Sequence, residues 1–451
     1  MKSLRLCIAS AVAGLAMVAA GPAHAIDDIY VVGDLHLNLG LEIGVGGFYV
    51  DNPNFGLGRI DLRNGKNTGD ATWAEGYGKP TLGFSYGLGE TSNLFGEVSA
   101  VLPAATFGEG DAAGFTRGTH ADADIEKGYL GFRSTLGGTE ENPWVLEVSG
   151  GKQNVQIGDG WLFWDGDFDA GGDMAYWLAP RTAFDWAATA DLSNGIYGVK
   201  PFFVEGDNDN DHAKIVGIDL RFEGEWGKVG ALYGNIVDSD DQVFVRDGME
   251  MVSVRALGVK VPVVDGLSLS GEFTKEFGGK NGNDFDGTAF YAQADYGIPG
   301  LPWSPTITYR YAYFSGDGNV ADSNIDGFDP LYYGFSGGWG TWFQGELVGE
   351  YLLFNSNQRN HMVKLALAPM DSLNVGAIYY HFDLDKNNYF GTPVSDRNFA
   401  DEINLFADWT ISDHVYVSGV ASVAFPGSGA SQAFGDNENM YGLEAYLVIT
   451  F

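Results

Sequence analysis

Cysteine is almost absent from this chain, and its single copy, Cys7, falls inside a leader. Lys2 and Arg5 form a short positive region, Leu6 to Ala20 is mostly apolar, and Ala23-His24-Ala25 has the small-x-small pattern of a signal-peptidase site. The expected mature chain begins at Ile26 and carries no thiol, which excludes disulfides and thiol catalysis. Cys7 is not at the cleavage point, so a lipoprotein anchor is not expected either. Beyond the leader no window offers the ~18 to 20 uninterrupted apolar residues of a membrane-spanning helix. Any membrane crossing must therefore be made by strands. Bases are scarce: the leader takes two of the 25 and no acid, leaving 23 against 60 and a formal charge of −37. Nucleic-acid binding would need a basic patch that is missing. The histidines after the leader, His36, His120, His212, His361, His381 and His414, show no H-E-x-x-H spacing, and no glycine-rich loop opens a helix. No cofactor and no metal site is read from these patterns.

Aromatics are plentiful. Acidity with few aromatics would point to disorder, but 30 Phe, 22 Tyr and 11 Trp argue for an ordered chain, and 66 Gly suit strands joined by tight turns. A period of two recurs throughout. Leu35, Leu37, Leu39, Leu41, Ile43 and Val45 share one face, opposite Asp34, His36, Asn38, Glu42 and Gly44. The last eleven residues repeat the pattern, with Tyr441, Leu443, Ala445, Leu447, Ile449 and Phe451 on one side and Gly442, Glu444, Tyr446, Val448 and Thr450 on the other. Similar runs occur at Leu82 to Leu88, Val216 to Phe222, Phe290 to Ile298, Ile307 to Tyr313, Ile403 to Ile411 and Val415 to Val423. With their flanks most approach the ~9 to 11 residues of a tilted membrane strand. A mean hydropathy of −0.08 fits, because outward apolar residues are averaged with inward polar ones.

The connections alternate in length. Short ones at 89–93, 137–143, 193–195, 224–227, 262–266, 299–305, 369–372 and 412–414 read as tight turns. Long polar ones span 51–72, 103–124, 157–181, 205–213, 238–250, 278–287, 315–359, 384–401 and 426–439. Short periplasmic turns and long external loops are the asymmetry of a bacterial barrel. The fold class is thus all-β: one transmembrane antiparallel β-barrel over 26–451, of about 18 strands, following a signal peptide at 1–25. A bulge taken for a turn would reduce the count to 16. Trp342 to Leu353 alternates like a strand and also spaces Phe343, Leu347, Val348, Tyr351 and Leu352 like a helix. Parity decides: both chain ends lie on the periplasmic side, the strand number is even, and this segment becomes an amphipathic helical piece of loop 315–359, a candidate plug.

A barrel of this size encloses water unless loops fill it. With the apolar faces turned to lipid, the inward bases are Lys79, Lys127, Arg133, Lys200, Arg221, Arg310 and Lys364. The inward acids include Glu42, Glu97, Glu147, Asp219, Asp295, Asp408 and Glu444. Each single charge can serve as the partner of a neighbouring strand's charge, as Asp219 and Arg221 are placed to do. As a set they outline a path, in which Arg133 and Arg310 stand out because a planar guanidinium holds a carboxylate at two points. Asp207, Asp209 and Asp211 open like a calcium loop, but His212 replaces the turn glycine and Ile218 the closing glutamate. These acids, with those at 238–241 and 284–286, read as solvated loops that meet lipopolysaccharide phosphates through divalent ions.

Three segments resemble the alginate-export type of outer-membrane protein: Gly151-Lys152-Gln153-Asn154-Val155-Gln156-Ile157-Gly158-Asp159-Gly160, Tyr309-Arg310-Tyr311-Ala312-Tyr313-Phe314-Ser315-Gly316-Asp317, and Phe328-Asp329-Pro330-Leu331. Their order along the chain also fits. The resemblance implies an 18-stranded monomeric barrel passing a solute or an anionic polysaccharide, with lumenal arginines shaping the path. Arg310 is the position that carries over. The strongly arginine-rich lumen expected of an alginate exporter does not.

The expected function is a non-enzymatic channel in the outer membrane of a Gram-negative bacterium, passing a hydrophilic or amphiphilic solute such as an anionic saccharide. Its expected partners are outer-membrane lipid, lipopolysaccharide, the solute, and the barrel-assembly machinery reading the strand that ends at Phe451. Two alternatives remain. A surface receptor or adhesin would use the acidic loops, and a barrel hydrolase would bring Ser, His and Asp together from distant positions.

Overall fold

The computed structural model describes residues 26–61, 64–116, 118–167, 175–207, 212–240, 245–334 and 344–451. The leader with Cys7, and Asp209, Asp211, Asp241, Trp342 and Phe343, lie outside the described residues. Eighteen strands form the wall. In chain order they are β1 Leu35–Asp51, β2 Ala71–Gly87, β3 Ser92–Gly108, β4 His120–Gly138, β5 Pro143–Gln153, β6 Phe184–Ser193, β7 Tyr197–Glu205, β8 Lys214–Gly224 and β9 Gly227–Asp238. The second half comprises β10 Met249–Lys260, β11 Leu267–Gly278, β12 Thr288–Gly297, β13 Thr306–Phe314, β14 Gln358–Met370, β15 Leu373–Leu384, β16 Asn398–Ser412, β17 Val415–Pro426 and β18 Met440–Thr450.

Every strand pairs antiparallel with the next, and β18 closes on β1 from Glu42 opposite Thr450 to Asp51 opposite Tyr441. A further N-terminal strand, Ile26–Val32, folds back at Gly33 and Asp34 and pairs with β1 below the point where β18 ends. At that junction Leu41 and Phe451 exchange both backbone hydrogen bonds. Closure of β18 on β1 leaves the eighteen wall strands without a free edge, which is what lets a sheet cross a membrane.

Alternation determines which way each side chain points. Leu39, Leu41, Val45 and Tyr49 of β1 are exposed on the outside, while Gly44, Phe48 and Val50 are buried inside. The same division holds in β16, with Ile403, Leu405, Trp409 and Ile411 outward and Glu402, Asn404 and Phe406 inward. The strand count and the assignment of long and short connections agree with the sequence reading. One boundary does not. The loop expected at 103–124 is shorter, because β3 continues through Pro103 to Gly108 and β4 begins at His120. Pro103 has no N–H to give a ladder, and the register shifts between Val101 and Ala104 to accommodate it.

The interior is not a plain water column. The described parts of two long connections, 154–167 with 175–183 and 326–334 with 344–357, fold inward and pair with each other: Phe163 bridges Tyr332 in parallel, Trp164 N–H donates to Tyr332 O at 2.8 Å, and Gly334 N–H donates to Gly160 O at 3.0 Å. Aromatic rings lock them to the wall. Trp73 of β2, itself stacked on Phe48 at 4.9 Å, lies 6.3 Å from Trp177 of the first loop and 6.5 Å from Tyr351 of the second, and those two loop rings meet at 5.0 Å. Trp161 packs on Tyr291 and Phe314 of the wall at 5.0 and 5.2 Å. Within 342–353 the described part forms one five-residue turn of π-helix, Gly349–Leu353, completely inside the barrel. No strand occurs there among the described residues.

Candidate transport path

Inward charges of the wall fall into groups. In the first, Glu42 lies directly opposite Lys79 across the β1–β2 ladder, and the two pair at 2.9 Å. Lys79 also donates to Pro180 O of the first inward loop at 3.3 Å, and Tyr77 donates its hydroxyl to Glu42 at 2.8 Å. Lys127 pairs with Glu97 at 3.2 Å on the neighbouring strands. Nearer the turns, Arg133 faces Glu147 at 3.3 Å, with the arginine side chain more than half exposed.

A second group lies on β6 to β10. Asp219 and Arg221 find partners two strands away instead of on the adjacent ones: Arg221 reaches Asp191 at 2.7 Å, and Arg255 reaches Asp219 at 2.8 Å. Glycines make this possible. Gly198 stands opposite Arg221 and Gly230 opposite both Arg221 and Arg255, so the guanidinium groups lie across bare backbone. A Cβ at Gly198 would come within 2.5 Å of Arg221 Cζ, and one at Gly230 within 2.5 Å of Arg255 Cζ. Lys200, opposite Asp219, has no ion pair among the described residues. These side chains border a cavity of about 500 Å³ whose other side is Gln156 to Asp159 of the first inward loop.

The third group surrounds Arg310. Its guanidinium is completely buried, donates to Met362 Sδ at 3.1 Å, and has Asp159, Asp295, Tyr291 and Tyr380 as charged or phenolic neighbours. Asp295 accepts from Thr308 at 2.7 Å and Gln293 at 2.8 Å, and Asp408 accepts from Ser418 at 2.5 Å and Tyr416 at 3.1 Å. Lys364 faces Arg310, Asp295 and Asp408 and makes no ion pair among the described residues. Of the seven inward bases read from the sequence, Lys200 and Lys364 are thus the cations left for something other than the wall.

Wall carboxylates also serve as anchors for the inward loops, a use the sequence did not reveal. Glu75 accepts from Leu178 N–H at 3.0 Å and Glu126 from Thr182 N–H at 3.1 Å. Glu402 accepts from the N–H groups of Glu346 and Val348, both at 2.7 Å, and from Leu347 at 3.3 Å. Charge-assisted bonds of this kind hold backbone where no sheet ladder can. Glu75, Glu126 and Arg255 could have been found by alternation alone. Glu346 and Glu350 could not, since they lie on a loop.

The segments that suggested a family meet in this interior. Asp159 accepts the Tyr291 hydroxyl at 2.6 Å beside Arg310, and Asp329 takes both Arg246 nitrogens, at 2.6 and 2.8 Å, from the loop between β9 and β10. Burial pushes the Asp159 carboxyl above the ordinary range, although Tyr291 and the positive charge of Arg255 act against it. Of the acidic loops, Asp238 pairs with Lys214 at 2.8 Å, and Asp286 with Lys275.

An 18-strand antiparallel barrel with loops folded into its lumen defines a porin-like outer-membrane β-barrel. More particularly, the chain belongs to the alginate export family, whose family model matches residues 113–441. No significant match occurs among curated protein sequences. Among solved structures the fold is similar to three Pseudomonas aeruginosa proteins. OpdK with vanillate gives a TM-score of 0.54 at 12% identity, covering 92% of this chain and 99% of that one. OpdL gives 0.54 at 11%, with 93% and 99% covered, and OccK7 (OpdD) gives 0.52 at 10%, also with 93% and 99% covered.

Proposed function

We propose that this protein is a passive, non-enzymatic channel of the Gram-negative outer membrane, selective for small hydrophilic or amphiphilic solutes that carry a carboxylate. The observation behind this reading is a charged cavity of about 500 Å³ between the wall and the first inward loop, which is itself joined to the second. A wall meant only for structure would neutralise its inward charges. Lys200 and Lys364 break that rule, and an ammonium is a ready point contact for a passing anion. The alginate-export membership supports an anionic cargo, and the similar OpdK fold is one recorded with vanillate, a small aromatic carboxylate. A wide, electropositive polysaccharide duct fits less well, because most inward arginines are already committed to aspartates. The outward apolar belt is the surface for lipid, the external acids are the sites for ion-bridged lipopolysaccharide, and β18 together with Phe451 is the segment for the assembly machinery.

Reconstitution of the refolded chain in a planar bilayer tests the reading. Steady single-channel conductance, with a reversal potential across a salt gradient showing anion preference and block by an aromatic carboxylate, is the expected result. Absence of conductance even after residues 344–354 are deleted would reject a channel.

A further inference from the structure

The inner end of the loop 315–357 brings two buried acids against a third on the wall. Glu350 lies within the turn Gly349–Leu353, Glu346 is four residues before it, and Glu444 faces them from β18. One carboxylate oxygen from each lies within 4.8 Å of the other two, and all three residues are buried. Tyr351 donates its hydroxyl to Glu444 Oε1 at 2.8 Å, but Glu444 Oε2 and Glu350 Oε2 have no hydrogen-bond donor. Glu350 is 2% exposed and aims its carboxylate into the cluster, with Oε2 unpartnered among the described residues. Among the described residues, Glu402, Asp111, Tyr333 and Tyr351 also face it. Among the described residues, Glu350, Glu402 and Glu444 form no ion pair with Lys, Arg or His.

Carboxylates this close and this dry repel one another strongly, and shared protons or a cation relieve that repulsion. All-oxygen ligands with no imidazole or thiolate favour a hard ion, and calcium tolerates the irregular geometry that a loop and a strand supply. We propose that Glu346, Glu350 and Glu444 form a calcium-type divalent-cation site that clamps the inward loop to the barrel wall. The clamp complements Glu402, which already holds the backbone N–H groups of residues 346–348. One half of the site is the loop and the other is β18, so losing the ion frees the loop to move away from the seam where the barrel closes on β1. Only this last consequence, a calcium-dependent pore, rests on the channel reading.

Terbium, which replaces calcium and is excited by nearby aromatics, tests the site itself. Tyr351 touches Glu444 and lies 5.0 Å from Trp177, so an ion bound there receives energy from both rings. With the refolded full chain in detergent, sensitised terbium emission that calcium displaces is the expected result. Glu350→Gln and Glu444→Gln are expected to weaken it about tenfold or more, whereas Glu109→Gln, on an exposed loop, leaves it unchanged. Gel mobility before and after heating checks that each barrel has folded. Where a glutamine variant does not fold, Glu350→Asp keeps the charge, shortens the reach and is expected to weaken terbium in the same direction. Absence of calcium-displaceable emission in the wild type, or equal affinity in the folded variants, overturns the site and leaves shared protons as the answer. Conductance recorded with calcium and then with EGTA separates the two proposals: terbium binding with no conductance in EGTA, nor after residues 344–354 are deleted, removes the channel and keeps the site, and conductance without terbium binding does the reverse.

Discussion

Single residues decide the electrostatics of this lumen. An arginine on β10 satisfies an aspartate on β8 only because the residue between them, Gly230, has no side chain. Gly230→Ala places a methyl where the Arg255 guanidinium lies and forces the buried pair apart. The expected cost is about 1–3 kcal/mol, the usual range for overfilling a packed interior, read from urea unfolding in lipid vesicles; an unchanged midpoint would show that Arg255 finds another route to Asp219. Lys200 and Lys364 act differently. Neither holds the wall together, so Lys200→Glu and Lys364→Glu should leave folding intact and move the reversal potential toward cation selectivity. The same change at Lys79, which pairs with Glu42 and reaches Pro180, is expected to disturb assembly first. Alternation placed all three lysines inside. Whether each was paired could not be read from the chain, because Asp191 and Arg221 are 30 residues apart and meet across an intervening strand.

At the scale of elements, the inward loop 315–357 is the part most open to control. It is held by Glu402, by the Tyr351–Glu444 bond and by aromatic packing on Trp177. Burial, followed by the charges of Glu444, Glu346, Glu402 and Asp111, raises the Glu350 carboxyl well above its ordinary 4.5. The docked loop therefore binds a proton that the free loop releases. Its contribution to docking is complete below the ordinary value and is lost as pH climbs through the raised one. With chelator present, conductance is expected to increase from acid toward neutral and alkaline pH, and Glu350→Gln should flatten that rise. Calcium should suppress it in the wild type by taking the place of the proton. A pH response that survives in Glu350→Gln would assign the effect to another group. This loop was also the least legible element. Phe343, Leu347 and Tyr351 satisfy a strand and a helix equally, and only the parity of a closed barrel separated the two. The Glu346, Glu350 and Glu444 cluster was invisible, since it joins a loop to the last strand.

For the molecule as a whole, the barrel inverts the usual arrangement: its outer surface is apolar, and its inner one mixes charges with aromatic rings that pack around two loops. The outer face was readable almost completely, because a closed sheet in lipid demands strict alternation and tolerates no edge. The inner face was readable only as a set of polar positions. The difference has a physical cause. Lipid imposes one rule on every outward residue, whereas the interior is organised by contacts between elements far apart in sequence. Leu405, the most exposed residue of the β16 belt, pairs with Ala377 and Ala421 on the strands either side. Leu405→Arg would put a charge on the lipid face, at an expected cost of about 2–4 kcal/mol near the bilayer midplane. Leu57→Arg, on an exposed loop position, should cost almost nothing. Urea unfolding of both variants in vesicles of fixed thickness measures the contrast. Equal stabilities would mean that the β16 belt does not sit in the hydrocarbon, and a difference that grows in thicker bilayers would place Leu405 at its centre.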